Sequence, residues 1–298
     1  MKNMPWYIYS ILASLSFVGM VLCTRYLGNK DFSSKQILLF LSGFAFFEFL
    51  AINTGTLNSI WESEHFSAFI VIMTIASIFA VIGNWADFTA VIKAPNPGFV
   101  GAIKNSNVLL IVFFSVFIFG SSLSLTKLLG VLFVIGGIIA VVIEKKNISI
   151  KQAEKLFLRW DVLAVMGALS FTIFVLGIKK ASQIGFSSPQ INLFLFGFNF
   201  LAFTILNRKE IKDYFRDTVK LKNFLPIAFL AATFSFVANI FNIKGIAIAP
   251  NPGYHESIKN TQILFTTLLS VPLLGASLSK QKLLGVIVVL VGIIILVI

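Results

Sequence analysis

The stretch "APNPGFVGAIKN" (residues 94–105) returns 155 positions later as "APNPGYHESIKN" (residues 249–260). Each copy places a lysine, Lys104 or Lys259, a few residues into a long apolar run, where a cation is unfavourable in a membrane. When each copy is extended by two residues, the two match at 8 of 14 positions. This repetition predicts a duplicated unit in which both lysines have a shared role.

The repeat continues on both sides of this stretch. Downstream, "GSSLSLTKLLG" (120–130) matches "GASLSKQKLLG" (275–285) at 8 of 11 positions. Upstream, "FSSKQI" (32–37) matches "FSSPQI" (186–191) at an offset of 154. We therefore predict three parts of the chain, namely a first five-helix repeat at 1–143, a basic connecting loop at 144–159 and a second five-helix repeat at 160–298.

The composition is that of a membrane protein. Hydrophobic residues make up 57% of the 298 residues and charged residues only 12%, against about 25% charged residues in soluble domains. Apolar runs of about 20 residues favour helical spans, and the alternation expected of membrane β-barrels is missing from the sequence. The fold class predicted is an all-α integral membrane protein with ten transmembrane helices in two inverted five-helix repeats.

Ten apolar runs are long enough to cross a bilayer, five in each half. Because five is odd, the second half enters the membrane upside down, as in secondary transporters built from inverted repeats. The predicted spans are 6–24, 36–54, 67–92, 97–119, 127–143, 160–178, 190–206, 224–247, 252–274 and 281–298.

Positive charge predicts the orientation of the chain. The odd-numbered loops and the span ends beside them contain 17 Lys and Arg residues, whereas the N-terminus, the even-numbered loops and the span ends beside them contain 5. The positive-inside rule then places both termini outside. The net charge of +12 sits mostly in loops, so we expect no nucleic-acid partner. The basic amphipathic segments 150–159 and 208–222 predict contacts with membrane lipids.

The segment "APNPGFVGAIKNSNVLLIVFFSVFIFGSSLSLTKLLGVLFVIGGIIAVV" (94–142) resembles the end of an EamA-type repeat of the drug/metabolite transporter superfamily, and so does its second copy. Both have the small-Pro entry, the glycine before a polar turn and the closing "LLG…GG" or its remnant. The resemblance implies a multi-pass transporter, which we expect in a bacterial inner (plasma) membrane. Two features depart from the family: Ser121 and Ala276 stand where it commonly has Glu, and its members usually have cytoplasmic termini.

A narrower resemblance concerns the repeated lysine. The context "ESIKNTQ" around Lys259 is similar to that of a lysine that contacts the substrate phosphate in nucleotide-sugar and sugar-phosphate translocators of the same superfamily. The internal repeat extends that implication to Lys104. Asn-Pro at 96–97 and 251–252 predicts where both helices begin, because Asn suits the N-cap and Pro the first helical position. Seven residues separate Pro97 from Lys104, about 10 Å along a helix, so both lysines are expected near the membrane midplane.

Polar residues at helical spacing accompany both lysines. Lys104 and Asn107 share one helix face, as do Glu256, Lys259 and Gln262, and Asn84 aligns with Asn239 in the neighbouring helices. Intramembrane polar residues of this kind usually face the bundle interior. The predicted substrate-binding residues are Lys104, Lys259, Asn107, Gln262, Asn84, Asn239, Asn105 and Asn260.

Three carboxylates, Glu48, Asp87 and Glu256, are candidates for coupling-ion binding. Two other interpretations of the lysines stay open. Each lysine side chain could snorkel towards the interface. Alternatively, Asp87 could neutralise Lys104 and Glu256 could neutralise Lys259 in purely structural ion pairs.

These features predict a secondary active transporter that moves a small anionic or zwitterionic metabolite by alternating access. The sequence has no ATP-binding P-loop, and His65, His255 and Cys23 form no enzymatic constellation. We expect no enzymatic activity, cofactor or metal, and a monomer or homodimer. The alternatives are a proton-coupled exporter of amino acids or organic amines and drugs, and a non-transporting membrane scaffold or regulator.

Overall fold

The computed structural model describes residues 4–94, 100, 103–105, 107–142, 159–216, 218–262, 264–266, 268–269 and 280–298. These residues form helices and no strand, which confirms the all-α fold class. The helices are α1 (Trp6–Gly28), α2 (Ser34–Asn53), α3 (Leu57–Trp61), α4 (Phe66–Lys93), α5 (Asn107–Phe119), α6 (Leu125–Val142), α7 (Trp160–Gln183), α8 (Ser188–Leu206), α9 (Ile211–Tyr214), α10 (Thr218–Ile248), α11 (Pro252–Lys259) and α12 (Lys280–Val297).

The repeated Phe-Ser-Ser motif begins the second helix of each half. At α2 the Ser33 hydroxyl accepts a hydrogen bond from the backbone N–H of Gln36 (3.2 Å). At α8 the backbone N–H of Ser187 donates to the Gln190 side chain (2.9 Å). Each contact satisfies a backbone donor that the first turn would otherwise leave unpaired.

The Asn-Pro pair begins α11, as the sequence predicts. Asn251 is the N-cap, and its side-chain oxygen accepts from the backbone N–H of Gly253 (2.8 Å). Pro252 occupies the first helical position, where its missing N–H does not matter. The equivalent Asn96 and Pro97 lie outside the described residues.

Six described helices are long and apolar enough to cross a membrane: α1, α2, α4, α7, α8 and α10. They coincide with predicted spans 1, 2, 3, 6, 7 and 8. Shorter apolar helices, Ile103–Phe119, Leu125–Ala140 and Ile287–Val297, fall on spans 4, 5 and 10. The total of ten spans stays a prediction.

The predicted ninth span is not one uninterrupted helix. Helix α11 ends at Lys259 and a turn follows at Asn260 and Thr261 before helical residues resume. The backbone N–H of Thr261 donates to the carbonyl of Ile258, three residues earlier (3.1 Å), and not to a carbonyl four residues earlier as in an α-helix. A run of apolar residues predicts the length of a span, but it does not predict a local change in the hydrogen-bond pattern such as this turn.

Five helices of the predicted first half, all but the short α3, pack on a helix of the second half. The pairs are α1 with α10, α2 with α8, α4 with α7, α5 with α11 and α6 with α12. Reciprocal hydrogen bonds join the ends of α2 and α8. The Asn53 amide donates to the carbonyl of Pro189 (3.0 Å), and the Asn207 amide donates to that of Lys35 (3.2 Å). Both donors and both acceptors are 154 positions apart.

The pairs α2 with α8 and α6 with α12 run antiparallel. The end of α2 meets the start of α8 and vice versa, as the reciprocal bonds require. In α6 and α12, a Cβ at Gly137 would lie 2.8 Å from the Gly285 carbonyl, and one at Gly292 would lie 2.8 Å from the Gly130 carbonyl. Only glycine permits that approach of two backbones. Antiparallel pairing of equivalent helices is the arrangement that a twofold axis perpendicular to the helices produces.

The interior is rich in phenylalanine, and the exterior is apolar as well. Phe49 lies between Phe196 and Phe236, with ring centroids 5.3 and 4.6 Å away. Outward-facing side chains such as Phe117 and Leu125 are 82% and 75% exposed. In water such a surface would associate, whereas lipid accommodates it.

The two segments predicted to lie on the membrane surface differ in what the structure describes. Residues 150–158 lie outside the described part. Segment 208–222 contains the short helix α9 and the first turn of α10. Their contact with lipid stays a prediction.

Candidate functional site

One cavity between the two halves contains ten of the eleven predicted site residues. The volume of the cavity that a water molecule can reach is about 130 Å³. Its walls come from α1, α2, α4, α7, α8, α10 and α11, from the start of α5 and from the segments after α4 and α11. The predicted residues that line it are Lys104, Lys259, Asn105, Asn107, Asn84, Asn239, Asn260, Gln262, Asp87 and Glu256.

Glu48 is the predicted residue that lies elsewhere. It projects from α2 towards α10, where the Thr233 hydroxyl donates to its Oε1 (2.8 Å). The other oxygen, Oε2, has no hydrogen-bond partner among the described residues. The sequence predicts depth in the membrane but not the side of α2 on which this carboxylate lies.

The first ion pair joins two helical segments. The Nζ of Lys104 lies 2.8 Å from Oδ2 of Asp87 on α4. The side chains are 17% and 13% exposed, so both face the cavity and are not sealed in the core. The ammonium also lies over the Phe171 ring of α7, 5.6 Å from its centroid, in the range of a cation–π contact.

The second ion pair lies within one helix. Lys259 and Glu256, three residues apart on α11, are in direct contact. The side chains are 14% and 2% exposed. The Lys259 ammonium lies over the Phe17 ring of α1, 5.8 Å from its centroid. Phe17 and Phe171 are 154 positions apart, so each lysine contacts the equivalent aromatic ring of the opposite half.

The structure therefore forms both ion pairs that the sequence left as an alternative. Sequence reasoning missed the two phenylalanines, although their offset of 154 equals that of the Phe-Ser-Ser motifs. A phenylalanine in an apolar run has no feature that marks it as a site residue.

The amides of the cavity fall into two groups. Asn84 donates to the Asn199 side chain (3.3 Å), and Asn239 donates to the carbonyl of Ser235 (2.8 Å). These bonds join or stabilise helices. In contrast, both polar atoms of Asn105 and the side-chain oxygens of Asn107 and Gln262 are buried and have no partner within the described part of the chain. Such atoms are a reserve of hydrogen-bonding capacity that a ligand could use.

His255 is bonded within the protein rather than facing the cavity. It is fully buried, with Nδ1 2.7 Å from the Ser10 hydroxyl and Nε2 3.0 Å from Oδ1 of Asn242. A Cβ at Gly245 would lie 2.2 Å from the imidazole ring, so this ring needs a glycine opposite it.

Two aromatic residues that could have lined the cavity do not. Tyr254 is buried, and its hydroxyl donates to the carbonyl of Ser122 (3.1 Å). Trp85 packs against the apolar cores of the molecule. Neither residue is among those that line the cavity.

A pair of cations holds the ends of the helices that precede the two lysine segments. The Arg25 guanidinium donates to the carbonyls of Val91 (2.7 Å) and Ile92 (3.3 Å) at the end of α4. The Lys179 ammonium donates to three carbonyls at the end of α10, those of Ile246 (3.2 Å), Ala247 (2.8 Å) and Ala249 (3.0 Å).

Cations stabilise helix C-termini, where carbonyls lack partners and the dipole is negative. Arg25 and Lys179 are 154 positions apart. Each binds carbonyls about one turn beyond a cavity-lining polar residue, which is Asp87 on α4 and Asn242 on α10. The sequence treats them as loop charges. Their shared offset is the signal that could have revealed a common role.

The described residues include no group of three His, Cys, Asp or Glu side chains that could hold a metal ion. The ionisable chemistry of the cavity is that of two lysines and two carboxylates.

Residues 158–298 match the model of the EamA-like transporter family. A solved protein crystal structure superposes on the chain with a TM-score of 0.70 at 13% sequence identity, over 96% of this chain and 95% of that one. At this identity the likeness shows the fold alone. No curated protein gives a significant match to the sequence.

Proposed function

We propose that this chain, whose residues 158–298 match the EamA-like transporter family, is a secondary transporter of a small metabolite that works by alternating access. The observation that carries the proposal is the meeting of two repeat-related lysines, one from each half, in a single cavity. A substrate between them contacts both halves, which is what alternating access requires of a central site.

The packing of the helices supports the inverted arrangement. Equivalent helices, such as α2 and α8, pair antiparallel and exchange the reciprocal amide bonds of Asn53 and Asn207. An axis in the membrane plane gives this pattern, whereas an axis along the membrane normal would make equivalent helices parallel. Two five-helix halves rocking about such an axis would open the cavity to alternate sides.

The substrate class that we propose for the cavity is a small anion or zwitterion. Lys104 and Lys259 supply positive charge, Asn105 supplies a free amide donor and acceptor, and Asn107 and Gln262 supply free amide oxygens. Asp87 and Glu256 lie in the same cavity and are the coupling candidates. Glu48 is set apart from them because it contacts Thr233 outside the cavity.

A non-transporting scaffold is the second candidate, because the two ion pairs could be purely structural. The observation that weighs against it is the exposure of the lysines, 17% and 14%. Both line an open cavity whose apolar and polar walls come from both halves. A sealed core would leave no such space.

The test is uptake by proteoliposomes that contain the purified chain, with a panel of phosphorylated, carboxylic, amine and zwitterionic substrates. We expect the transported substrate to lose at least about tenfold in rate with Lys104→Ala and with Lys259→Ala, the effect of one lost charge-assisted contact. Wild-type rates in both variants would remove the lysines from the site.

Orientation in a bacterial inner membrane is part of the same proposal. The charge count places the termini outside. A C-terminal reporter that is active only in the cytoplasm should therefore be silent. An active reporter would reverse the orientation and leave the site unchanged.

A further inference from the structure

The charges on the cavity wall balance. Within the described part of the chain, its ionisable lining residues are two lysines, Lys104 and Lys259, and two carboxylates, Asp87 and Glu256. The formal net charge is zero. A ligand with a net charge would leave that charge uncompensated in a poorly solvated space, which is unfavourable. A phosphate monoester, with a charge of about −1.5 to −2, is the least suited.

Both signs of charge nevertheless retain free hydrogen-bonding capacity. An ammonium has three donors, and the described ion pair of Lys104 uses one of them, towards Asp87. On the other side, Oε2 of Glu256 accepts from Lys259, whereas Oε1 has no partner among the described residues although the side chain is 2% exposed. The cavity thus offers an ammonium, that of Lys104, and a carboxylate, that of Glu256, which each retain unused hydrogen-bonding capacity.

Asn105 can serve either sign of charge. Its side chain is 1% exposed, it lines the cavity, and neither its Oδ1 nor its Nδ2 has a described partner. This statement holds whichever way the amide is turned. A buried amide with both atoms unpaired is costly in an empty site, and a ligand with donors and acceptors removes that cost.

The remaining walls are apolar and partly aromatic. Phe17 and Phe171 lie beneath the two lysines, and Phe88, Phe174 and Phe196 also line the cavity. Such walls suit an apolar group on the ligand.

We propose that the cavity binds a small zwitterion with one ammonium and one carboxylate beside an apolar group. The ammonium donates to Oε1 of Glu256, and the carboxylate accepts from the free donors of Lys104. Asp87 and Lys259 keep their present ion pairs. The proposal rests on the proposed function, since it assigns the substrate class of the same site.

Thermal stabilisation of the purified chain in detergent measures binding without any need for transport. Two matched quartets serve as probes. One consists of phenylalanine, 3-phenylpropanoate, 2-phenylethylamine and phenyl phosphate, and the other of leucine, 4-methylpentanoate, 3-methylbutylamine and 3-methylbutyl phosphate. We expect an amino acid to stabilise the chain at a concentration at least about tenfold lower than its single-charge analogues, since each analogue lacks one charge-assisted bond.

Charge-neutralising variants then separate a binding role from a structural one. Glu256→Gln gives the cavity a net charge of +1, so the preference should move from the amino acid to the carboxylate of the same quartet. Lys104→Gln gives −1 and should move it to the amine. Glu48→Gln removes a carboxylate outside the cavity and should leave the order unchanged. Loss of folding changes overall stability but does not reverse a ligand order.

Stronger protection by the phosphate or the carboxylate in the wild-type chain overturns the proposal, and so does the lack of protection by both amino acids. Unchanged ligand orders in both charge variants also overturn it. If an amino acid binds and the orders reverse, but proteoliposomes show no exchange of it, the ligand class stands and the transport function fails.

Discussion

The two halves of the molecule neutralise their equivalent lysines, Lys104 and Lys259, with carboxylates at different positions. In the first half the carboxylate is Asp87 on α4, so the ion pair joins two helical segments. In the second half the equivalent of Asp87 is Asn242, and the carboxylate is Glu256 on the lysine's own helix. The position equivalent to Glu256 is Gly101, which lies outside the described residues.

This difference makes the two ion pairs mechanically unequal. The bond between Asp87 and Lys104 breaks if α4 separates from the following segment. The bond between Glu256 and Lys259 moves with α11 as a unit, because residues three apart share a helix face. A change in the packing of the first half therefore alters the charge available in the cavity, whereas a rigid movement of α11 does not.

In the second half, the residue equivalent to Asp87 takes part in a buried hydrogen-bond network instead of an ion pair. Asn242 contacts His255, which contacts Ser10 of α1. The first-half residues at the positions of His255 and Gly245 are Val100 and Ala90, both fully buried and apolar. The second half therefore replaces an apolar contact by a hydrogen-bonded link between α10, α11 and α1.

The largest effect should come from breaking the inter-helix pair. Asp87→Asn leaves Lys104 without its carboxylate, and breaking a buried pair costs about 3–5 kcal/mol. Because the two side chains retain some exposure, we expect the lower end of that range. The double variant Asp87→Asn with Lys104→Met should recover most of the loss, measured by unfolding in mixed detergent micelles. Additive losses would mean that the pair does not couple the two segments.

Gly245→Ala should sharpen the comparison next. The new methyl group would lie 2.2 Å from the His255 ring, and overpacking of a buried contact costs about 1–3 kcal/mol or more. In the first half the matched change, Ala90→Gly, adds no atoms and should cost about 1–2 kcal/mol, the sum of lost helix propensity and one lost buried methyl group. The unfolding free energies of the two variants decide this. Equal losses would show that His255 adjusts without strain.

The two carbonyl-binding cations predict a smaller and unequal effect. Lys179 uses three donors in three directions, which a planar guanidinium does not reproduce. Lys179→Arg should therefore destabilise by about 1–2 kcal/mol, the worth of a lost bond to a charged group. Arg25→Lys should stay within about 0.5 kcal/mol, since Arg25 binds two adjacent carbonyls. Similar values for both exchanges would deny the difference in geometry.

The sequence predicts the features that depend on local pattern. The helix start at Asn251 and Pro252 follows from capping chemistry, and the offset of 155 predicts that Lys104 and Lys259 belong together. The helix break after Lys259 was missed because apolar runs report length and not backbone continuity.

Other features escape the sequence because they depend on contacts between distant segments. Phe171 becomes a partner of Lys104 only when α7 packs on α4. His255 is turned away from the cavity by Ser10, 245 positions away in the chain. Glu48 lies outside the cavity because a different face of α2 lines the cavity.

The smallest predicted effect concerns the reciprocal amides. Asn53 and Asn207 make equivalent bonds across α2 and α8. The side-chain oxygen of each also accepts a hydrogen bond, at 3.3 Å from the Thr56 hydroxyl for Asn53 and at 2.6 Å from the Tyr214 hydroxyl for Asn207. The Tyr214 hydroxyl shares its one proton with Glu210, 2.8 Å away. Burial, followed by the hydrogen bond to Glu210, raises the pKa of Tyr214 to about 12. The phenol therefore stays a neutral donor at physiological pH.

Asn207→Ala should consequently cost up to about 1 kcal/mol more than Asn53→Ala, because the Tyr214 bond is shorter than the Thr56 bond and one hydrogen bond is worth about 0.5–1.5 kcal/mol. In a Tyr214→Phe background that excess should vanish, because the Tyr214 donor is gone from both members of the comparison. Unfolding of the four variants in mixed micelles forms the double-mutant cycle that isolates this term. An excess that survives Tyr214→Phe would place the difference between the halves in the packing of α2 on α8 rather than in the Tyr214 bond.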